Sequence, residues 1–220
     1  MSLNALTAIL AVNGLMTRGI AHLAEPFLLP DGSYAKSVIL IGHAGSSIWP
    51  HFSAWLALQN SRPDNPLDTW SKEVITAAAT KVGGHAVFPS DKPYLPFQQW
   101  AMQAEGLKPS PLGILIHPVY GLWHAYRGAI LFDDLTLSHG VEKLSHPCDT
   151  CVEKPCLSAC PANAFSDVGF AVASCRAYLE SIEGGHCMDN GCAARGACPV
   201  GRDYAYIPEQ VRFHMRAFAK

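Results

Sequence analysis

Apolar positions in the first 140 residues fall into runs of helical or extended spacing, and each run predicts an element. Leu3, Leu6, Ile9 and Leu10 recur at helical intervals with Asn13, and the pattern breaks near Gly14, which predicts an N-terminal helix. The unbroken run Ser37–Ile41, ending at Gly42, predicts a short buried strand. Across Leu67–Val82 the stripe of Leu67, Trp70, Val74, Ile75 and Ala78 predicts an amphipathic helix that Gly83-Gly84 stops. His85–Phe88 reads as a short strand, and Phe97–Leu107 as a helix entered after Pro93 and Pro96. Gly113–Ile116 and Ala129–Phe132 read as strands on either side of the aromatic segment Val119–Tyr126. Helices that alternate with strands predict a layered α/β or α+β domain over residues 1–140. Beyond it, residues 141–220 carry turns and short helices, with Asp133–Ser145 as the expected junction.

Composition narrows the class. The 220 residues are 49% apolar and 15% charged, a globular profile with material for a core. A formal net charge of −2 offers no basic footprint for nucleic acid. No segment reaches the roughly 18 to 20 apolar residues of a membrane span. No Lys or Arg precedes the run Leu3–Met16, so a helix is expected there rather than a signal peptide, and a cytoplasmic protein with it.

The cysteines change the picture most. All eight lie between Cys148 and Cys198, and the first 147 residues have none. The first group is Cys148-x2-Cys151-x4-Cys156-x3-Cys160-Pro161, and the second is Cys175-x11-Cys187-x4-Cys192-x5-Cys198-Pro199. A disulfide framework suits a small secreted chain, whereas clustering beside a long cysteine-free region favours metal ligation. Soft thiolates select iron–sulfur clusters or zinc. A cubane needs four of them, and in two-cluster ferredoxins the Cys before Pro ligates the other cluster. Both groups end in Cys-Pro, so two 4Fe–4S clusters are expected. Two four-cysteine zinc sites are the alternative, although zinc usually shows paired C-x2–4-C knuckles and only Cys148/Cys151 makes a tight pair.

At these residues the chain resembles the iron–sulfur half of epoxyqueuosine reductase and the related reductive dehalogenases. Cys175-Arg-Ala-Tyr178-Leu179-Glu-Ser-Ile182-Glu183 is similar to the family's Cys-x-x-Tyr-Leu-x-Ile-Glu, with one inserted residue. Upstream, Leu115-Ile116-His117-Pro118-Val119-Tyr120-Gly121-Leu122-Trp123 with Gly128-Ala-Ile-Leu131 resembles the stretch that precedes the clusters. Asn65-Pro66-Leu67-Asp68-Thr69-Trp70 and Ile39–Trp49 resemble cobalamin-processing proteins of the cblC type.

The resemblance implies a nitroreductase-like α/β domain at 1–140 and a two-cluster ferredoxin-like module at 141–220, an α+β protein as a whole. It implies one cluster on Cys148, Cys151, Cys156 and Cys198, and another on Cys160, Cys175, Cys187 and Cys192. It also implies a corrinoid as candidate cofactor or ligand, a redox partner as electron donor, and a reductase that passes electrons from the clusters to a corrinoid or substrate in the N-terminal domain. The first motif is two residues longer than the family's, Lys154-Pro155 among them, and the family's second C-x2-C is missing. No residue aligns with the family's catalytic carboxylate. The helical-repeat domain that follows in epoxyqueuosine reductase has no counterpart before Lys220, which with the acidic balance argues against tRNA as substrate. A non-catalytic ferredoxin-type carrier and a zinc-stabilised interaction protein are the alternatives.

Other features carry two readings each. Gly42-His43-Ala44-Gly45-Ser46-Ser47 follows a strand and reads as a plain turn, with a backbone cradle for phosphate or a corrinoid edge as the alternative. Tyr120, Trp123, His124 and Tyr126 read as core packing or as the wall of a flat cofactor pocket. His117 and His124 are candidates for cobalt ligand or proton donor, with a structural role the commoner one. Lys143, Lys154, Arg176 and Arg195 lie among the cysteines, as solvated charges or as cations that raise a cluster's potential.

Overall fold

The computed structural model describes residues 3–133, 135, 145–166 and 169–220. The chain is α+β, with β1 (Met16–Leu28), β2 (Tyr34–Ala44), β3 (His85–Val87), β4 (Lys108–Pro109), β5 (Leu115–Ile116), β6 (His124–Phe132), β7 (Phe165–Ser166) and β8 (Gly169–Phe170) as its strands. The helices are α1 (Leu3–Ala11), α2 (Trp49–Ala57), α3 (Pro66–Val82), α4 (Phe97–Glu105), α5 (Pro155–Ser158), α6 (Val172–Leu179), α7 (Gly185–Asn190), α8 (Ala193–Gly196) and α9 (Pro208–Phe218). None of the helices among the described residues is long and apolar enough to cross a membrane.

The chain divides into two compact units. The first is Met1–His43, Ser47–Gly106 and Ala125–Lys143; the second is Ala44–Ser46, Leu107–His124 and Leu144–Lys220. The cysteine segment has few apolar side chains of its own, and Leu112, Ile116 and Leu122 complete its core. Small, core-poor segments need such help or a metal to be stable. Most of the expected junction Asp133–Ser145, Lys143 included, lies outside the described residues.

The first unit is built on a four-stranded sheet of order β1-β2-β6-β3, with β1 antiparallel to β2 and β3 antiparallel to β6. Every residue from Ser37 to Ala44 is buried, so both faces of this stretch of β2 are covered. The expected strand Ser37–Ile41 is the middle of this element. The strand expected at Ala129–Phe132 is the end of β6, where Ala129, Ile130 and Leu131 are buried completely. β1 is an edge strand whose register shifts between Thr17 and Ile20 and between His22 and Phe27. These irregularities, with Pro26 in the strand, erase the alternation that would have announced it.

Helices pack against this sheet and against one another. α1 meets β1 and α3, α2 meets α3, and α4 runs along β1. Pro66 opens α3 where its missing N–H costs nothing. At the other end Gly83 adopts a left-handed φ of 69°, and the Gly84 N–H donates to Ala79 O. Trp70 and Phe52, both buried, meet edge to face at 5.9 Å and join α2 to α3.

A charged cluster is packed with this core. Arg18 on β1 donates from Nε to Glu105 Oε1 at 2.8 Å, with the two side chains 2% and 13% exposed. Tyr126 donates its hydroxyl to the other carboxylate oxygen, and the Arg18 guanidinium lies 5.1 Å from its ring centre. Burial, and then the Glu105 charge, push the Tyr126 phenol far above its ordinary range. Removal of one member of a buried ion pair strands the other. Glu105→Ala is expected to cost about 3–5 kcal/mol in chemical denaturation, and a paired Arg18→Met/Glu105→Leu variant should lose distinctly less.

Candidate functional site

The second unit gathers all eight cysteines, and none is in a disulfide. Cys148 lies in a 3-10 turn, Pro147–Asp149, with Cys151 just after it. Lys154 takes the left-handed conformation (φ 41°) and Pro155 opens α5. The residues that lengthen the first motif thus make a turn that leaves Cys156 buried on a short helix. Cys160 follows α5 and is buried ahead of Pro161. Cys175 is on α6, Cys187 on α7, Cys192 immediately before α8 and Cys198 after it.

α8 packs against α5, so the end of the second motif returns to the first. Cys148, Cys151, Cys156 and Cys198 line one cleft. Its walls include the apolar side chains Ile116, Leu122 and Val200. Burial pushes the Cys148 thiol up, and the charges of Cys198, Cys156 and Cys151 push it further. Cys156 is raised by burial and then by Cys198 and Cys151. The other four cysteines form a second neighbourhood. Cys175 is raised by burial and then by Cys192, Cys160 and Cys187. Burial also raises Cys192, against backbone N–H bonds from Arg195 and Ala194 that lower it, and Cys160 and Cys187 add to the rise. The Ala164 N–H points at Cys160 Sγ at 3.4 Å. Like charges disfavour one another's ionised form, and N–H donors favour it.

A set of mutually repelling thiolates suits a cationic centre, which also displaces their protons. No three His, Cys, Asp or Glu side chains among the described residues converge on a position for a single ion. A lone zinc requires its sulfurs at about 2.3 Å from one point. In a cubane each thiolate holds a different iron, so the sulfurs stand further apart. The disulfide-free thiols, four of them buried and two met by N–H donors, suit soft-metal ligation in donor chemistry.

A turn upstream of the motifs braces the site. His117 pairs with Gly121, and this turn lies against the chain that follows Cys198-Pro199. A Cβ on Gly121 (φ 57°) would lie 2.0 Å from Val200 O, and one on Gly201 (φ 72°) would lie 2.3 Å from the Tyr120 carbonyl carbon. Only glycine lets the two backbones approach this closely. Tyr120 meets Tyr204 edge to face at 4.8 Å across the same contact.

The remaining candidates have structural roles. Gly45 donates its N–H to Trp123 O at 2.7 Å and Ser46 Oγ accepts the Ile207 N–H at 2.9 Å, so this part of the Gly42–Ser47 loop is a packed turn. His117 Nδ1 accepts the N–H groups of Val119 and Tyr120, and its ring stacks on Tyr120 at 4.2 Å. His124 is buried, and its Nε2 donates to Leu115 O at 3.1 Å. Trp123 packs with Tyr206 and Val211. Core packing therefore accounts for Trp123.

Arg195 departs from the solvated reading. Its guanidinium lies 4.4 Å from the Trp123 ring centre and 4.6 Å from that of Tyr206, and Nε and one terminal nitrogen donate to Leu122 O at 3.1 and 2.5 Å. Lys154 and Arg176 are exposed. Tyr206 carried no sequence signal, because its partners Trp123 and Arg195 are distant in the chain.

No family model and no curated protein matches the sequence. Among solved structures, the C. elegans B12-trafficking protein CblC, a human MMACHC homologue, is similar with a TM-score of 0.52 and 14% identity, over 99% of this chain and 91% of that one. Epoxyqueuosine reductase from Bacillus subtilis is similar with a TM-score of 0.53 and 14% identity, over 92% of this chain and 65% of that one. The chain thus spans about two thirds of the reductase. At this identity the likeness is one of fold.

The Arg195 clamp joins α8 to the upstream turn. Arg195→Ala is expected to destabilise the protein by about 1–3 kcal/mol, from two ring contacts and charge-assisted bonds. Thermal unfolding checks this, and Arg195→Lys should recover only part of the loss.

Proposed function

We propose that this protein is an iron–sulfur reductase of low-potential electron transfer, with one 4Fe–4S cluster on Cys148, Cys151, Cys156 and Cys198 and another on Cys160, Cys175, Cys187 and Cys192. The observation that carries this reading is the electrostatic neighbourhood of the thiols: each raised thiol is pushed up by members of its own set of four. Bound clusters supply one-electron transfer at low potential. The cysteines hold them, the Ala164, Ala194 and Arg195 N–H groups stabilise negative sulfur, and the apolar wall of Ile116 and Leu122 limits water. A likeness in fold to a reductase and to a B12-trafficking protein supports an electron acceptor that is a corrinoid or a small substrate. A redox partner in the cytoplasm serves as donor in this reading, with no role for nucleic acid or a membrane.

A non-catalytic electron carrier is the second reading. The Gly45 N–H is already bonded and Trp123 is packed against Tyr206 and Val211, which favours this reading.

Protein purified without oxygen is expected to be brown and to hold about eight irons and eight acid-labile sulfides per chain; zinc in place of iron would leave the interaction-protein alternative. Cys160→Ser and Cys187→Ser should each remove about half of the iron, and the double variant no more than either alone. Cys160→Ser with Cys156→Ser should remove nearly all. The reverse pattern would overturn the exchange of Cys160 between the motifs. Cobalamin added to the reduced protein separates the functions: a spectral change supports the reductase, and an unchanged spectrum the carrier.

A further inference from the structure

Gln210 is fully buried on α9, and neither its amide nitrogen nor its amide oxygen has a hydrogen-bond partner among the described residues. A primary amide brings two donors and an acceptor, and its burial without partners is costly enough that native proteins rarely tolerate it. Something other than the described side chains must meet this group. Its place in the fold indicates what. α9 packs against α7, which carries Cys187. Val211, the next residue, reaches to 3.0 Å from where a Cβ on Gly191 would stand, immediately before Cys192. The buried face of α9 therefore lies against the segment that supplies two cysteines of the second set.

We propose that Gln210 donates an amide N–H hydrogen bond to the iron–sulfur centre on Cys160, Cys175, Cys187 and Cys192, and so raises its reduction potential. The proposal rests on the two-cluster reading above. A donor to cluster sulfur stabilises the more negative, reduced state, so its loss makes reduction harder. An ordered water that bridges Gln210 to the indole N–H of Trp123, which also has no partner among the described residues, is the competing explanation.

The test uses the loaded full-length protein. Gln210→Leu keeps the bulk and removes the donors. Iron and sulfide content should stay at the wild-type level, and a potentiometric titration followed by EPR should show one midpoint moved to a more negative value and the other unmoved. The moved midpoint should be the one retained in a Cys156→Ser background. Two unmoved midpoints at full iron content would overturn the proposal in favour of water while leaving the two clusters in place. Wild-type protein without iron would overturn the two-cluster reading and the proposal with it. Should the leucine variant fail to fold, the wild type decides. The other glutamines, Gln59, Gln98, Gln99 and Gln103, all belong to the first unit. Protein labelled with nitrogen-15 in glutamine side chains should show an electron spin-echo coupling to a reduced cluster, and its absence would overturn the proposal.

Discussion

Thiolates repel one another, and repulsion among closely gathered sulfurs is the constraint on which the second unit depends. Burial alone raises the thiols of Cys148, Cys156, Cys175 and Cys192, and neighbouring sulfur charge raises each of them further. Such a set is stable as protonated thiols or around a positive centre, since a group of bare thiolates in a low dielectric is not. The backbone N–H groups of Arg195 and Ala194 pull the other way at Cys192. Where thiolates of this kind hold a metal, its free energy of binding is also free energy of folding.

The same constraint explains the division of the chain. A segment that spends its interior on cysteines has little apolar surface left to bury, and apolar burial is the main favourable term in folding. Leu112, Ile116 and Leu122 enter from upstream and pack with Cys156, Cys160 and Cys198. The close backbone contact of Gly121 and Gly201 and the Arg195 clamp tie the upstream turn to the cysteine segment. Residues that looked in the sequence like a cofactor wall are in this way part of the support for the sulfur site.

Much of the first unit was legible in the pattern of the chain. α3 ends at Gly83 as the pattern requires, and the apolar run at Ser37–Ile41 is the buried middle of β2. β1 was not legible, because an edge strand with register shifts carries no clean alternation. α2 was missed for another reason: its aromatic residues are a helix face only once Trp70 is there to meet Phe52. α9 follows a Pro at its first turn and shows its buried face only against α7.

The sequence by itself determined that there are eight thiols in two groups, each closed by Cys-Pro, because ligand chemistry depends on residue type and local spacing. Only the tertiary structure decided which sulfurs are neighbours, since that follows from α8 packing on α5 and carrying Cys198 back to Cys156. It also decided that Arg195 is clamped between two rings and that Gln210 is buried without a partner among the described residues. Both depend on contacts between residues far apart in the chain, and no local pattern encodes them.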